Sequence, residues 1–176
     1  MKALSLLLAA GMVVGCGVKP ENYAGKAPEW DLPTFFNGDL VGYGIVTDRS
    51  GEVQRRFSVT MQGIWSSPEK GELHEQFLFD DGKKQERIWY LQKVNQKWQG
   101  TAGDIVGTAG GSTYGFAMNW NYTLDLELSS GQRVNVKFDD WMYLIDQQRL
   151  INKAEITKFG FKVGEVIIYI EQKPKA

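Results

Sequence analysis

Between Phe57 and Phe138 the chain returns again and again to one pattern, an apolar residue followed by a polar one. Phe57, Val59 and Met61 alternate with Ser58, Thr60 and Gln62. Leu73, Phe77 and Phe79 alternate with His74, Gln76 and Asp80, and Glu75 falls in the apolar phase. The longest run sets Phe116, Met118, Trp120, Tyr122, Leu124, Leu126 and Leu128 against Ala117, Asn119, Asn121, Thr123, Asp125 and Glu127. Val134, Val136 and Phe138 then alternate with Arg133, Asn135 and Lys137. Successive side chains of a strand point to opposite faces. A period of two therefore predicts antiparallel strands with one apolar face and one wet face.

Turn residues divide these runs at short intervals: Asp48-Arg49-Ser50-Gly51, the stretch from Ser66 to Gly71, Asp80-Asp81-Gly82-Lys83, Asn95-Gln96 and Ser129-Ser130-Gly131. Loops of this kind join neighbouring strands as hairpins. No segment carries a helical period long enough for a crossover, and at most a single turn is expected near Asp146 to Leu150. An open meander would leave two unpaired edges, which closure into a barrel removes. The uninterrupted run from Phe116 to Leu128 is long for a flat sheet and natural for a tilted barrel strand. The expected fold is all-β: an antiparallel up-and-down, lipocalin-like β-barrel of roughly eight to ten strands over residues 35–173.

The first residues follow other rules. Lys2 is a basic start, Ala3 to Val14 an apolar run, and Gly15 a small residue before Cys16, the only cysteine. That order describes a bacterial lipoprotein signal peptide over residues 1–15, cleaved before a cysteine that takes the lipid. The run is shorter than the roughly 20 residues a membrane-spanning helix needs, so acyl chains on Cys16 are the expected membrane contact. Residues 16–34 contain Pro20, Pro28 and Pro33 among polar residues, which predicts an extended tether, with Trp30 and Leu32 close enough to dock on the barrel. Gly17 follows Cys16 and no aspartate lies near the lipidated end. That favours the outer membrane, with the domain facing the periplasm.

Charge and composition narrow the partners. Without its leader the chain keeps 19 basic and 21 acidic residues, a net charge of −2, with no basic block. Nucleic acid is therefore not an expected partner, and a polybasic membrane patch is absent. With Cys16 lipidated, no cysteine is left for a disulfide, so packing alone must hold the fold.

Candidate chemistry is sparse. His74, the only histidine, falls on a polar face, and no Gly-x-Ser-x-Gly elbow occurs, so catalysis is not expected. One histidine and one lipidated cysteine do not make a metal set, and no cofactor is implied. Gly107 to Ser112 is glycine-rich with no helix pattern after it, as a hairpin or rim loop would be. Adjacent Asp139 and Asp140 must point to opposite faces of a strand. They either cap its end, pairing with Arg149 or Lys153, or one of them anchors the mouth of a pocket beside Trp141 or Met142.

Charge in the apolar phase is the informative anomaly. Arg55 shares the parity of Phe57, Glu75 that of Phe77, and Arg87 that of Trp89. An odd-length loop around Asp81-Gly82 would bring Glu75 and Arg87 to the same side, close enough to pair. Interior charges are costly unless paired or solvated. They either line a wet cavity that holds a carboxylate or phosphate head group, or sit at strand ends and reach into solvent.

Several segments resemble a known family: Leu32-Pro33-Thr34-Phe35-Phe36-Asn37-Gly38, Phe138-Asp139-Asp140-Trp141-Met142-Tyr143 and Lys158-Phe159-Gly160-Phe161-Lys162-Val163-Gly164. They look like the Gram-negative lipoprotein family known as domain of unknown function 3833. The resemblance implies a lipidated envelope protein of lipocalin-like type with no established activity.

The expectation is a membrane-anchored, non-catalytic protein that binds a hydrophobic or amphipathic small molecule such as a fatty acid or lipid. Phe57, Phe77, Trp89, Trp120, Phe138 and Trp141 would supply apolar lining, Arg55 or Arg87 the head-group contact, and Glu75, Asp139 and Asp140 the remaining polar positions. The alternative is an envelope scaffold or assembly factor with a filled barrel and a protein partner.

Overall fold

The computed structural model describes residues 18–128 and 130–174; the expected leader and Cys16 lie outside the described residues. Ten strands run in sequence order: β1 (Gly38–Asp48), β2 (Val53–Ser67), β3 (Lys70–Phe79), β4 (Lys84–Val94), β5 (Lys97–Thr101), β6 (Ala109–Tyr114), β7 (Ala117–Glu127), β8 (Arg133–Leu144), β9 (Arg149–Lys158) and β10 (Phe161–Gln172). Each pairs antiparallel with the next. β1 also pairs with β10, from Leu40↔Gln172 to Asp48↔Gly164, and the sheet closes on itself. The expected up-and-down barrel is what forms, with no free edge.

Closure turns the period of two into an inside and an outside. Val59, Leu40, Met118 and Leu150 are the most deeply buried large side chains, one each from β2, β1, β7 and β9. Trp120 is the bulkiest demand on the wall. A Cβ at Gly100 would lie 2.8 Å from its Cζ2, and one at Gly111 2.6 Å from its Cε3. The glycine-rich stretch is therefore only partly a loop. Gly107 and Thr108 are loop residues, while Ala109 to Ser112 belong to β6, where the indole of Trp120 excludes a side chain.

The two ends of the barrel differ. At one end a plug is built around one α-helical turn, α1 (Leu32–Phe35), preceded along the chain by a 3-10 turn, η1 (Pro20–Asn22), that buries no residue. Pro33 falls in the first turn of α1, where its fixed φ suits a helix start. Among the described residues this is the one α-helical turn, not the segment near Asp146 to Leu150. There the Asp146 carboxylate accepts the backbone N–H groups of Gln148 and Arg149, both at 2.9 Å, and shapes a hairpin turn instead. Trp30, Leu32, Phe35 and Phe36 are buried against one another and the barrel end, each burial contributing about 1.5–3 kcal/mol. The plug is also hydrogen-bonded in place. Trp65 Nε1 donates to the Phe36 carbonyl (3.1 Å), Gln172 Nε2 to those of Thr34 (3.0 Å) and Phe35 (2.6 Å), and the Trp30 amide to Gly115 (3.0 Å). Tyr23 packs edge-on against Phe116 and Tyr143. Of the segment expected as a tether, the part from Tyr23 onward therefore lies on the barrel.

At the opposite end the hairpins following β1, β3, β7 and β9 surround an open mouth, and the wall has one thin place. β5 and β6 share only three residue pairs, Trp98↔Gly111 to Gly100↔Ala109. Above them, residues 84–89 of β4 and 122–127 of β7 have no strand partner on that side. The loop of residues 102–108 fills the gap. Ile105 bridges to Leu124, the Val106 amide donates to the Thr123 carbonyl and the Asp125 amide to that of Asp104, each at 2.9 Å.

The plug is testable at Gly63. A Cβ there would overlap the Phe36 carbonyl. Gly63→Ala is expected to lower unfolding free energy by about 1–3 kcal/mol in urea titration. An unchanged midpoint would mean that the plug is not seated on β2.

Candidate functional site

The barrel is not solid. A cavity of about 990 Å³ runs from the mouth down to Leu32 and Phe36 of the plug. Its upper wall is apolar, with Phe57, Phe77, Phe79, Phe138, Ile156 and Ile168 among the lining. Phe138 stacks on Tyr122 with ring centroids 4.9 Å apart, and Trp89 meets the same tyrosine edge-on at 5.4 Å.

Into this wall the strands set a polar cluster. Glu75 on β3 and Arg87 on β4 are direct cross-strand partners, because the connection between the strands keeps both on the lumen side. Glu75 Oε2 lies 3.6 Å from Arg87 Nη1. Asp104 arrives from the loop that fills the wall gap. Arg87 Nε donates to both its oxygens at 3.0 Å, and Nη2 to Oδ2 at 2.7 Å. The guanidinium also lies 5.7 Å from the ring centroids of Phe77 and Trp89. Asp140 enters from β8, opposite Trp120, and its neighbours include Tyr122. Asp140 Oδ1 and Glu75 Oε2 are shielded from solvent and accept no hydrogen bond.

Three carboxyl groups thus share one guanidinium in a low-dielectric enclosure. Burial raises the Glu75 carboxyl to about 7 against the pull of Arg87. Burial likewise raises Asp140 to about 8, with Arg87 opposing and Asp139 adding to the rise. Tyr122 is pushed well above its ordinary range by burial and then by Asp140. For Arg87 burial works against the charge, but Glu75 and Asp104 outweigh it, and the guanidinium is held more firmly charged.

The strand parity sorts the sequence candidates. Phe57, Glu75, Phe77, Arg87, Trp89, Trp120, Phe138 and Asp140 line the lumen together. Arg55 stands at the mouth, its guanidinium 3.6 Å from the Phe79 ring centroid and 3.3 Å from Asp81. Asp139 and Trp141 do not belong to the lumen. The inward phase of β8 runs Val134, Val136, Phe138, Asp140, Met142, so residues 139 and 141 face outward. Asp139 accepts a hydrogen bond from Asn119 Nδ2 at 2.6 Å. Trp141 stacks on Tyr143 and meets Tyr23 on the outer surface. Neither acid pairs with Arg149 or Lys153, which bind Asp146 and Glu165 instead. Arg87 is already bonded to Asp104 through Nε and Nη2, and its Nη1 faces Glu75 without a hydrogen bond. His74 faces outward, 2.9 Å from Glu72. Among the described residues no group of His, Cys, Asp and Glu is arranged to hold a metal ion.

Tyr122 and Asp104 complete the cluster and are not among the sequence candidates. Tyr122 is visible in the sequence as part of the apolar phase of β7. Asp104 lies in a segment with no periodicity, and only the wall gap directs it inward.

Comparison with known proteins places the fold and little more. A family model described as "Protein of unknown function (DUF3833)" matches residues 10–172. A structure from Nostoc punctiforme PCC 73102, a protein with unknown function from the DUF3598 family, matches with a TM-score of 0.54 at 12% identity. The match covers 78% of this chain and 47% of that one, so the present chain spans about half its length. A de novo designed fluorescence-activating β-barrel matches at 9% identity and a TM-score of 0.44, over 81% of this chain and 99% of its own. No curated protein matches the sequence.

The raised carboxyls make stability depend on pH. A group that binds its proton more tightly in the folded state contributes fully below its unfolded value, near 4, and loses that contribution as pH rises through its folded value. For Glu75 and Asp140 the loss runs up to about 7 and about 8. Asp140→Asn is therefore expected to be more stable than the parent protein at pH 8, by on the order of 2 kcal/mol, with the gap closing towards pH 5. Urea titrations at the two pH values decide it; parallel curves would mean that Asp140 titrates in an ordinary environment.

Proposed function

The chain belongs to the DUF3833 family of proteins of unknown function, and on the geometry above we propose that it is a non-catalytic binding protein for a hydrophobic or amphipathic small molecule such as a lipid. One observation carries this: a cavity of about 990 Å³, at the upper end of ligand-pocket sizes, with apolar walls and a few convergent polar groups. A scaffold would gain more from a filled barrel, since each unfilled void forgoes packing energy. A ligand offers a reason to leave the lumen open. Passage runs through the mouth, because the plug occupies the other end.

Acyl chains on Cys16 would anchor the protein, with the outer membrane as the proposed site and the domain in the periplasm. The chain reaches the barrel beside Gly115, where a side chain would collide with the backbone of Tyr23 and Lys26. That contact belongs to the plugged end. An anchored barrel would therefore present its mouth away from the membrane that holds it.

Native mass spectrometry of the purified full-length protein tests the proposal. A reproducible added mass that extracts as a lipid-like molecule is expected. Ile168→Trp, which fills the upper lumen, should reduce its uptake at least about tenfold, or roughly 1.4 kcal/mol, with the barrel still folded. A clean unliganded mass, with no uptake from an offered lipid mixture, would sink the proposal.

A further inference from the structure

The polar cluster has more acceptors than it has cation. Arg87 is the one basic group within it: Nε and Nη2 donate to Asp104, and Nη1 stands 3.6 Å from Glu75, an ion pair without a hydrogen bond. A carboxylate or phosphate head group would have to compete with Asp104 and Glu75 for this one positive charge. It would then lie among carboxyl groups with no second cation beside them. The nearest basic residues that line the lumen, Arg55, Lys83, Lys84 and Arg133, stand at the mouth. Arg55 is paired there with Asp81, and Arg133 with Asp125 and Glu127. Asp140 is different again: it lines the cavity with no cation of its own, and its Oδ1 accepts nothing.

We infer that the lumen recognises an amphipathic ligand by a positively charged amine head, with Asp140 and Glu75 as the acceptors and the aromatic upper wall around its apolar part. This rests on the reading of the lumen as a ligand site. An ammonium supplies what the cluster lacks, namely hydrogen-bond donors and one positive charge among three carboxyl groups. It would take the place of the protons that burial keeps on these acids. The groups facing that position are Glu75 from β3, Arg87 from β4, Asp104 from the wall loop, Tyr122 from β7 and Asp140 from β8, with Asp139 behind it on the outer face. A head group of the wrong sign meets the same carboxyls as repulsion, which makes the choice selective.

The test compares three ligands with the same chain, decylamine, decanol and decanoate, titrated into the full-length protein at pH 8. The change in tryptophan emission as the alkyl chain displaces water around the lumenal Trp89 and Trp120 reports binding. Decylamine is expected to bind at least about tenfold more tightly than decanoate, with decanol between them. Asp140→Asn and Glu75→Gln should each shrink the ratio of decylamine to decanol affinity at least about threefold. Lowering the pH to 6 should shrink it as well, because protons compete for the same oxygens. Decanoate binding as tightly as decylamine overturns the inference and leaves the ligand-site reading standing. So does an amine preference that survives both substitutions. If none of the three ligands binds, the ligand-site reading fails, and this inference with it.

Discussion

The contact between Arg87 and Asp104 carries more of this structure than any other single interaction. β5 and β6 are too short to complete the wall, and the loop that replaces them is bonded through its backbone to β7 only, among the described residues. On the β4 side it is held by side chains, chiefly the forked guanidinium of Arg87. The same contact sets the electrical character of the lumen. With Asp104 in place the arginine is spoken for, and Glu75 and Asp140 are left as an acidic surplus. Removing Arg87 would leave the carboxyl groups with no cation among them, a loss of the kind that costs about 3–5 kcal/mol in buried pairs. Closure of the wall and the chemistry of the cavity are thus one problem with one solution.

A second constraint is the asymmetry of the barrel ends. The plug buries Trp30, Leu32, Phe35 and Phe36 and ties α1 to β2 and β10, so one end is part of the core. The other end is rimmed by hairpins and carries exposed residues, Phe159 and Phe161 among them. A closed barrel does not by itself decide whether its interior fills or holds a guest. Here the deep layer of Leu40, Met118 and Leu150 is packed, while the upper aromatic ring leaves space.

Strand parity made much of the site legible. Glu75 and Arg87 stand in the apolar phase of their own strands, and an odd connection between them is enough to place them opposite each other. Parity also separates Asp140 from Asp139, once Val134, Val136 and Phe138 define the inward phase. Trp141, an aromatic beside these acids, invites assignment to the pocket, yet the same alternation turns it outward to Tyr23 and Tyr143. The glycines of β6 were harder to assign. In a linear chain Gly110-Gly111 reads as a flexible loop, and only the neighbouring strand, through the Asn119 carbonyl and the Trp120 indole, gives Gly111 its place in a wall.

The amino-acid sequence by itself determined the all-β class, the meander, the inward phase of β2, β3, β4, β7 and β8, and the presence of charge within it. These follow from local rules: a side chain alternates faces every residue, and a turn residue ends a strand. Tertiary structure alone decided that Asp104 meets Arg87, that the first turn of helix becomes a plug, and that the upper lumen stays open. Each depends on groups brought together by closure, Asp104 lying 17 residues from Arg87 with no periodic signal between them. Charge balance within the cluster is a sum over β3, β4, β7, β8 and a loop, and no single segment contains it.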